Sequence, residues 1–201
     1  MIKNIIFDFG NVFISLRIFY TRVQFMKLGL FYVPKTLRDL FKKYETGQVS
    51  AEIFLLTIKK YSPLGDIEKI HKAWNTLIGN FDERALKILS WSAQSYRLFL
   101  LSNMNALHME HIQKKMGPLY ENFQTSFEKC YFSHEIQLRK PDRKAYEIIL
   151  KQQNLKAQET LFVDDLKENI ATAHTLGIHT KRFDLRDDKL FDLKKWMEDF
   201  L

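Results

Sequence analysis

Short apolar runs that end in polar residues recur along this chain, and that repeat confines it to few folds. Residues 2–8 are mostly apolar and close on a carboxylate, which reads as a strand buried on both faces with Asp8 at its C-terminal edge. Similar runs occur at Leu98-Phe99-Leu100-Leu101, at Cys130-Tyr131-Phe132, at Leu161-Phe162-Val163 and around Ile178 to Phe183. Helical patterns fill the intervals at about 83–95, 106–116, 142–153 and 167–175, with another near 188–199. Strands alternating with helices build βαβ units, so the expectation is an α/β fold with a doubly wound, Rossmann-like parallel sheet.

The first half departs from this alternation. From about 17 to 80 no strand is evident; helical stretches lie near 18–29, 35–45, 50–61 and 66–78, separated by Pro34, Gly47 and Ser62-Pro63-Leu64-Gly65. Ser50 suits an N-cap, and Pro34 suits the first turn of its helix. A helical insertion after the first strand lies above the C-terminal strand edge, where ligands bind in such sheets. The expected division is an α/β core of residues 1–15 and 82–201, with a helical cap of residues 16–81 over its site.

At 201 residues and 46% hydrophobic content, the chain can bury the core of one domain carrying such an insertion. Cys130 is the only cysteine, which excludes an intramolecular disulfide and a zinc site built from several Cys. The N-terminal residues show no signal-peptide pattern, and no segment reaches the ~18 uninterrupted apolar residues of a membrane span. A cytoplasmic protein without a membrane partner is therefore expected. The formal charge of +7 suggests an anionic partner. Pairs such as Lys42-Lys43, Lys59-Lys60 and Lys194-Lys195 are scattered, and none forms a long basic block with interleaved aromatics. Solvated helix faces explain most of this charge, so a small phosphorylated substrate is expected and nucleic acid is not.

Four strand ends carry groups able to do chemistry: Asp8, then Ser102 with Asn103, then Lys140 downstream of the third strand, then Asp164 with Asp165. In a parallel sheet all of these ends converge on one side. Each residue also has a bland role: Asp164 or Asp165 can cap the helix beginning near Lys167, Ser102 and Asn103 can cap the helix after them, and Lys140 can be a surface lysine. Together, however, the acids would repel one another beside Asp8. A hard cation resolves that repulsion, and magnesium, with its preference for carboxylates, waters and phosphate oxygens, matches the inventory. Lys140 precedes Pro141, which favours an extended backbone at 140 and a helix start at Pro141; Arg139 reads as its solvated neighbour. Ser102 and Asn103 offer a hydroxyl and an amide to phosphate oxygens.

These motifs carry a resemblance. Ile5-Ile6-Phe7-Asp8-Phe9-Gly10-Asn11-Val12 resembles the first motif of haloacid dehalogenase-like hydrolases. Leu101-Ser102-Asn103-Met104-Asn105 resembles their second, Arg139-Lys140-Pro141 the third, and Phe162-Val163-Asp164-Asp165 with Asn169 the fourth. The helical insertion is similar to the small cap of that family's first subclass, through Tyr44-Glu45-Thr46-Gly47-Gln48-Val49-Ser50 among others. Within the family the chain resembles bacterial sugar-phosphate phosphatases of the α-glucose-1-phosphatase type. The resemblance implies Asp8 as a nucleophile that forms an aspartyl-phosphate. It also implies magnesium on Asp8, on the backbone carbonyl of Gly10 and on Asp164 or Asp165, with Ser102 and Lys140 binding the phosphoryl group and Asn103 shaping the pocket.

Two other functions share this framework. A 2-haloacid dehalogenase uses the same nucleophile but needs no metal, so the paired acids favour phosphate chemistry. A binding or regulatory module of low turnover would fit the basic charge and Gly10. His108 and His111, at helical spacing, read as surface residues rather than a metal pair, as does His134. Tyr44, Trp74 and Asn75 are candidates for substrate contact, although aromatics there usually pack a small helical core.

Most phosphatases of this family place a second Asp two residues after the nucleophile as general acid and base, and here that position is Gly10. Such help is worth about 10²–10⁴-fold. Without it, phosphate esters with good leaving groups, such as anomeric, acyl or aryl phosphates, should react faster than simple alkyl phosphates. A series of esters of graded leaving-group acidity tests this, and a rate independent of that acidity contradicts it.

Overall fold

The computed structural model describes residues 1–200. In chain order the elements are β1 (Asn4–Phe7), β2 (Ile14–Leu16), α1 (Ile18–Lys27), α2 (Lys35–Glu45), α3 (Ala51–Tyr61), α4 (Ile67–Asn75) and β3 (Ile78–Phe81). There follow α5 (Arg84–Ser92), β4 (Arg97–Ser102), α6 (Ala106–Met116), α7 (Pro118–Thr125), β5 (Lys129–Phe132) and α8 (Ser133–Ile136). The chain then runs through α9 (Lys144–Gln152), β6 (Thr160–Asp164), α10 (Lys167–Thr175), β7 (His179–Arg182) and α11 (Leu190–Phe200).

Five strands form a parallel sheet in the order β5-β4-β1-β6-β7. The first strand is central because its residues are buried along their whole length and find apolar partners on both sides. Ile5 pairs with Leu98 and Leu161, and Phe7 with Leu100 and Val163. The period of two sorts these side chains. Ile5, Phe7, Leu98, Leu100, Leu161 and Val163 pack on one face against Leu89 of α5, Ile112 of α6, Phe123 of α7 and Leu193 of α11. Ile6, Phe99, Leu101 and Phe162 pack on the other against Tyr146 and Ile149 of α9 and Ala173 of α10. Helices thus cover both faces, which is the doubly wound α/β architecture that the alternating pattern implied.

The first half holds two strands that the sequence did not disclose. Short β2 pairs antiparallel with β3, Ile14 opposite Phe81 and Leu16 opposite Ile78. Their three and four residues are too few to display alternation. Gly79 is required at this crossing because a Cβ there would collide with Ser15. Helices α7 and α8, of eight and four residues, are likewise below the length at which a helical period is readable. The helix expected at Pro141 begins instead at Lys144. The Lys140–Pro141 peptide is cis and lies in a turn, and Asp142 Oδ1 accepts the Lys144 N–H at 2.9 Å.

Helices α1 to α4 enclose an apolar cluster that includes Phe25, Leu37, Phe54, Ile58, Ile70 and Trp74 and is joined by Leu107 of α6. Tyr44 stacks on Phe54 with ring centroids 4.0 Å apart, and its hydroxyl accepts the Leu107 N–H at 3.1 Å. Ser133 Oγ donates to Glu45 O, and Arg139 pairs with Glu45 at 2.9 Å. The helical block is thereby held over the C-terminal ends of β4 and β5.

Ile6 is fully buried at the centre of the sheet. Ile6→Ala should lower the unfolding free energy by about 2–5 kcal/mol. Ile53→Ala, at a position 56% exposed, should stay within about 0.5 kcal/mol. Urea denaturation of the two variants measures the difference.

Candidate active site

Every strand end singled out from the sequence opens on one cavity of about 280 Å³, whose lining includes Asp8, Gly10, Ser102, Asn103, Lys140 and Asp165. Asp8 continues β1 by donating its N–H to Val163 O at 2.8 Å. The chain then turns sharply through Asn11, which holds a left-handed backbone at φ 51°. Asn11 Oδ1 accepts the Leu16 N–H and its Nδ2 donates to Asp165 Oδ2, both at 2.9 Å. A short amide side chain tolerates this backbone while bonding locally, which makes Asn suited to the position.

Lys140 is buried and lies 2.7 Å from both Asp8 Oδ1 and Asp164 Oδ2. Its backbone is clamped by Asn103, whose Oδ1 accepts the Lys140 N–H at 2.8 Å and whose Nδ2 donates to Lys140 O at 2.9 Å. Asp164 is saturated: its oxygens also accept Asn169 Nδ2 at 2.9 and 3.0 Å and the Leu166 N–H at 2.8 Å. Asp165 takes a single side-chain hydrogen bond, from Asn11, with the Arg186 guanidinium 3.8 Å away.

Ligand oxygens of Asp8, Asp164 and Asp165 lie within 4.8 Å of one another. Three carboxylates against the one buried ammonium leave a formal excess of two negative charges. Burial pushes the Asp8 carboxyl up to about 7, with repulsion from Asp164 adding to it and Lys140 opposing. Burial likewise raises Asp165. Burial alone would lower the Lys140 ammonium, but Asp164 and Asp8 outweigh it and hold the group above the usual lysine range. A divalent cation fits this cluster: the donors are hard oxygens, the charge excess is two, and buried Asn169 Oδ1, on the cavity lining, has no hydrogen-bond partner among the described residues.

The bland roles considered for these residues are filled by others. Asn105, not Ser102 or Asn103, caps α6 by accepting the His108 N–H at 3.0 Å. At α10 the N-cap position is Leu166, which brings no side-chain cap, and Asp164 accepts the Leu166 N–H instead of capping the helix. Arg139 is no solvated neighbour, because it is half-buried against Glu45. His108 is no surface residue either: it stacks on Trp74 with centroids 4.9 Å apart and lines the cavity. The carbonyl of Trp74 can only accept, so His108 Nε2 carries the proton and donates to it at 3.1 Å, while Nδ1 accepts from Asn105 Nδ2 at 3.0 Å. Arg186 escaped the sequence reading, while Asn11 entered it only inside the first motif and His108 only as a surface residue, since none of the three ends an apolar run.

Residues 30–182 match the family described as Haloacid dehalogenase-like hydrolase. The chain belongs to the haloacid dehalogenase-like hydrolases. It is 30% identical over 197 residues to a D-ribitol-5-phosphate phosphatase of Bacteroides thetaiotaomicron, covering 90% of this chain and 91% of that one. A haloacid dehalogenase family enzyme from the same organism, solved as a magnesium complex, superposes with a TM-score of 0.85 at 27% identity, covering 96% of this chain and 98% of the other. The same enzyme with magnesium and inorganic phosphate gives 0.81 at 25% identity, covering 95% and 98%.

Within this hydrolase, burial pushes His108 down from 6.5 to about 4. The unfolded chain therefore binds a proton that the folded one refuses between those values, and stability falls as pH drops through that window. Relative to His108→Gln, the wild type should lose on the order of 3 kcal/mol between about pH 6.5 and pH 4, as read by urea unfolding at each pH.

Proposed function

We propose that this chain is a magnesium-dependent phosphatase that hydrolyses small phosphorylated metabolites through an aspartyl-phosphate on Asp8. The reading rests on one observation above all: three buried carboxylates meet within 4.8 Å, and a buried lysine lies 2.7 Å from two of them. Dehalogenation has no use for a charge excess of two, which favours phosphate chemistry over that rival. The Bacteroides relative supports sugar or polyol phosphates as the substrate class.

Asp8, the Gly10 carbonyl and Asp165 would hold the metal, with Asp164 behind them. Asp164 is already occupied by Lys140, Asn169 and the Leu166 N–H, so its work is to fix the ammonium. When bound, magnesium supplies positive charge that offsets the phosphoryl oxygens and the carboxylates. An Asp8 oxygen attacks phosphorus, the bond from phosphorus to the ester oxygen breaks, and the departing alkoxide takes a proton from solvent because Gly10 brings no acid. Lys140 and Ser102 bind the non-bridging oxygens as charge accumulates there. Water then attacks the aspartyl-phosphate, releasing inorganic phosphate and restoring the carboxylate.

The division into a core of residues 1–15 and 82–201 and a cap of residues 16–81 belongs to the same proposal. The apolar cluster drawn mainly from α1 to α4 supports it, as do Ile18, Glu45, Trp74 and Leu77 on the cavity wall. A cytoplasmic setting is supported by the lone Cys130. Among the described residues no helix is long and apolar enough to cross a membrane.

Phosphate release from p-nitrophenyl phosphate tests the proposal. Asp8→Asn should lower kcat by roughly 10⁴-fold or more, and EDTA should abolish turnover until magnesium is restored. Equal background in wild type and variant would point instead to a module of low turnover.

A further inference from the structure

A second cavity, of about 520 Å³, lies beside the catalytic one of about 280 Å³. Ile18, Trp74 and Leu77 line both, so the two spaces share a wall. The larger space is built from the helical block, with Phe25, Phe31, Tyr32 and Phe41 among its walls and Thr21 and Arg22 as its polar members. The Thr21 hydroxyl already donates to Arg17 O at 3.0 Å and accepts from Thr76 Oγ1 at 3.1 Å. Trp74 Nε1 is engaged with Asn105 Oδ1 at 3.4 Å. A polyol placed here would bury hydroxyls that find few partners, which is unfavourable, whereas an aromatic or hydrocarbon group would meet ring faces and aliphatic walls. The volume falls in the range of roughly 300–1,000 Å³ that suits a small organic ligand.

The rim has the same character. Phe31 and Tyr32 are 68% and 71% exposed, large apolar side chains left uncovered at the lip. Arg22 is the cation on the cavity wall, and from residue 9 to residue 38 the chain has no Asp or Glu. A guanidinium beside exposed rings attracts an anion that has an apolar part.

We infer that this cavity receives the leaving group of a second substrate class, phosphate monoesters of alcohols that carry an aromatic ring or a compact hydrocarbon group. The phosphate lies over Asp8, and the apolar group runs along Ile18, Trp74 and Leu77 into the larger space. The inference rests on the phosphatase reading and extends its substrates beyond hydrophilic sugar phosphates.

The test compares 2-naphthyl phosphate with phenyl phosphate in the presence of magnesium, because their leaving alcohols have similar acidity and differ in apolar size. In the wild type kcat/KM should favour the naphthyl ester by about tenfold or more. The double variant Phe31→Ser/Tyr32→Ser, at exposed positions that leave the core intact, should collapse that ratio. Leu64→Ser, exposed and on neither cavity, should keep it. Equal kcat/KM for the two esters in the wild type overturns the inference while leaving the phosphatase reading standing. If neither ester releases phosphate, that reading fails, and calorimetric titration of both esters decides the cavity separately. Naphthyl binding about tenfold tighter supports the inference, and equal binding overturns it.

Discussion

A lysine ammonium enclosed in protein is unfavourable unless opposite charges surround it, and at Lys140 two carboxylates 2.7 Å away meet that condition. The neighbourhood is arranged around keeping it there. Asn103 grips the lysine backbone on both its N–H and its C=O, and Asn169 with the Leu166 N–H turns Asp164 toward it. Removing both carboxylates would leave an uncompensated buried ammonium, so the ion triad is as much a requirement of the folded state as of the chemistry. The same arrangement leaves Asp8 with one oxygen directed elsewhere and Asp165 only partly satisfied, and these are the groups that face the cavity.

The sheet makes this convergence possible. Because β1 is the central strand and β4 and β6 flank it in parallel register, the residues that follow Phe7, Leu101 and Val163 emerge side by side. Apolar burial on both faces fixes the register, since a slip of one residue would move Ile6 and Phe162 to the opposite layer. The geometry of the polar cluster is therefore set by hydrocarbon packing below it, and the hydrogen bonds refine positions the core has already imposed.

Much of this was legible in the letters because it rests on local periodicity. Helices α6 and α10 begin and end where the pattern placed them, and Asp8, Ser102 and Asp164 stand at the ends of readable runs, with Lys140 marked by the Pro that follows it. What escaped depends on tertiary contact. Strands β2 and β3 exist through their pairing and through Gly79 passing against Ser15, neither of which leaves a period in the sequence. His108 is spaced like a surface residue on α6 and is buried because Trp74 of α4 comes to lie flat on it. Arg139 pairs with Glu45 across 94 residues of chain, a partnership no window of sequence contains. Asn103 was legible as a strand-end amide, but its two bonds to Lys140 place it as a brace for the lysine backbone.

Asn11 ties two regions into one mechanical unit. Its carbonyl oxygen holds the amide of Leu16, on the strand that leads out to the helical block, and its nitrogen holds Asp165 on the far side of the central strand. The position of the Asp165 carboxylate and the path of the chain into the helical block are therefore fixed by the two ends of one amide.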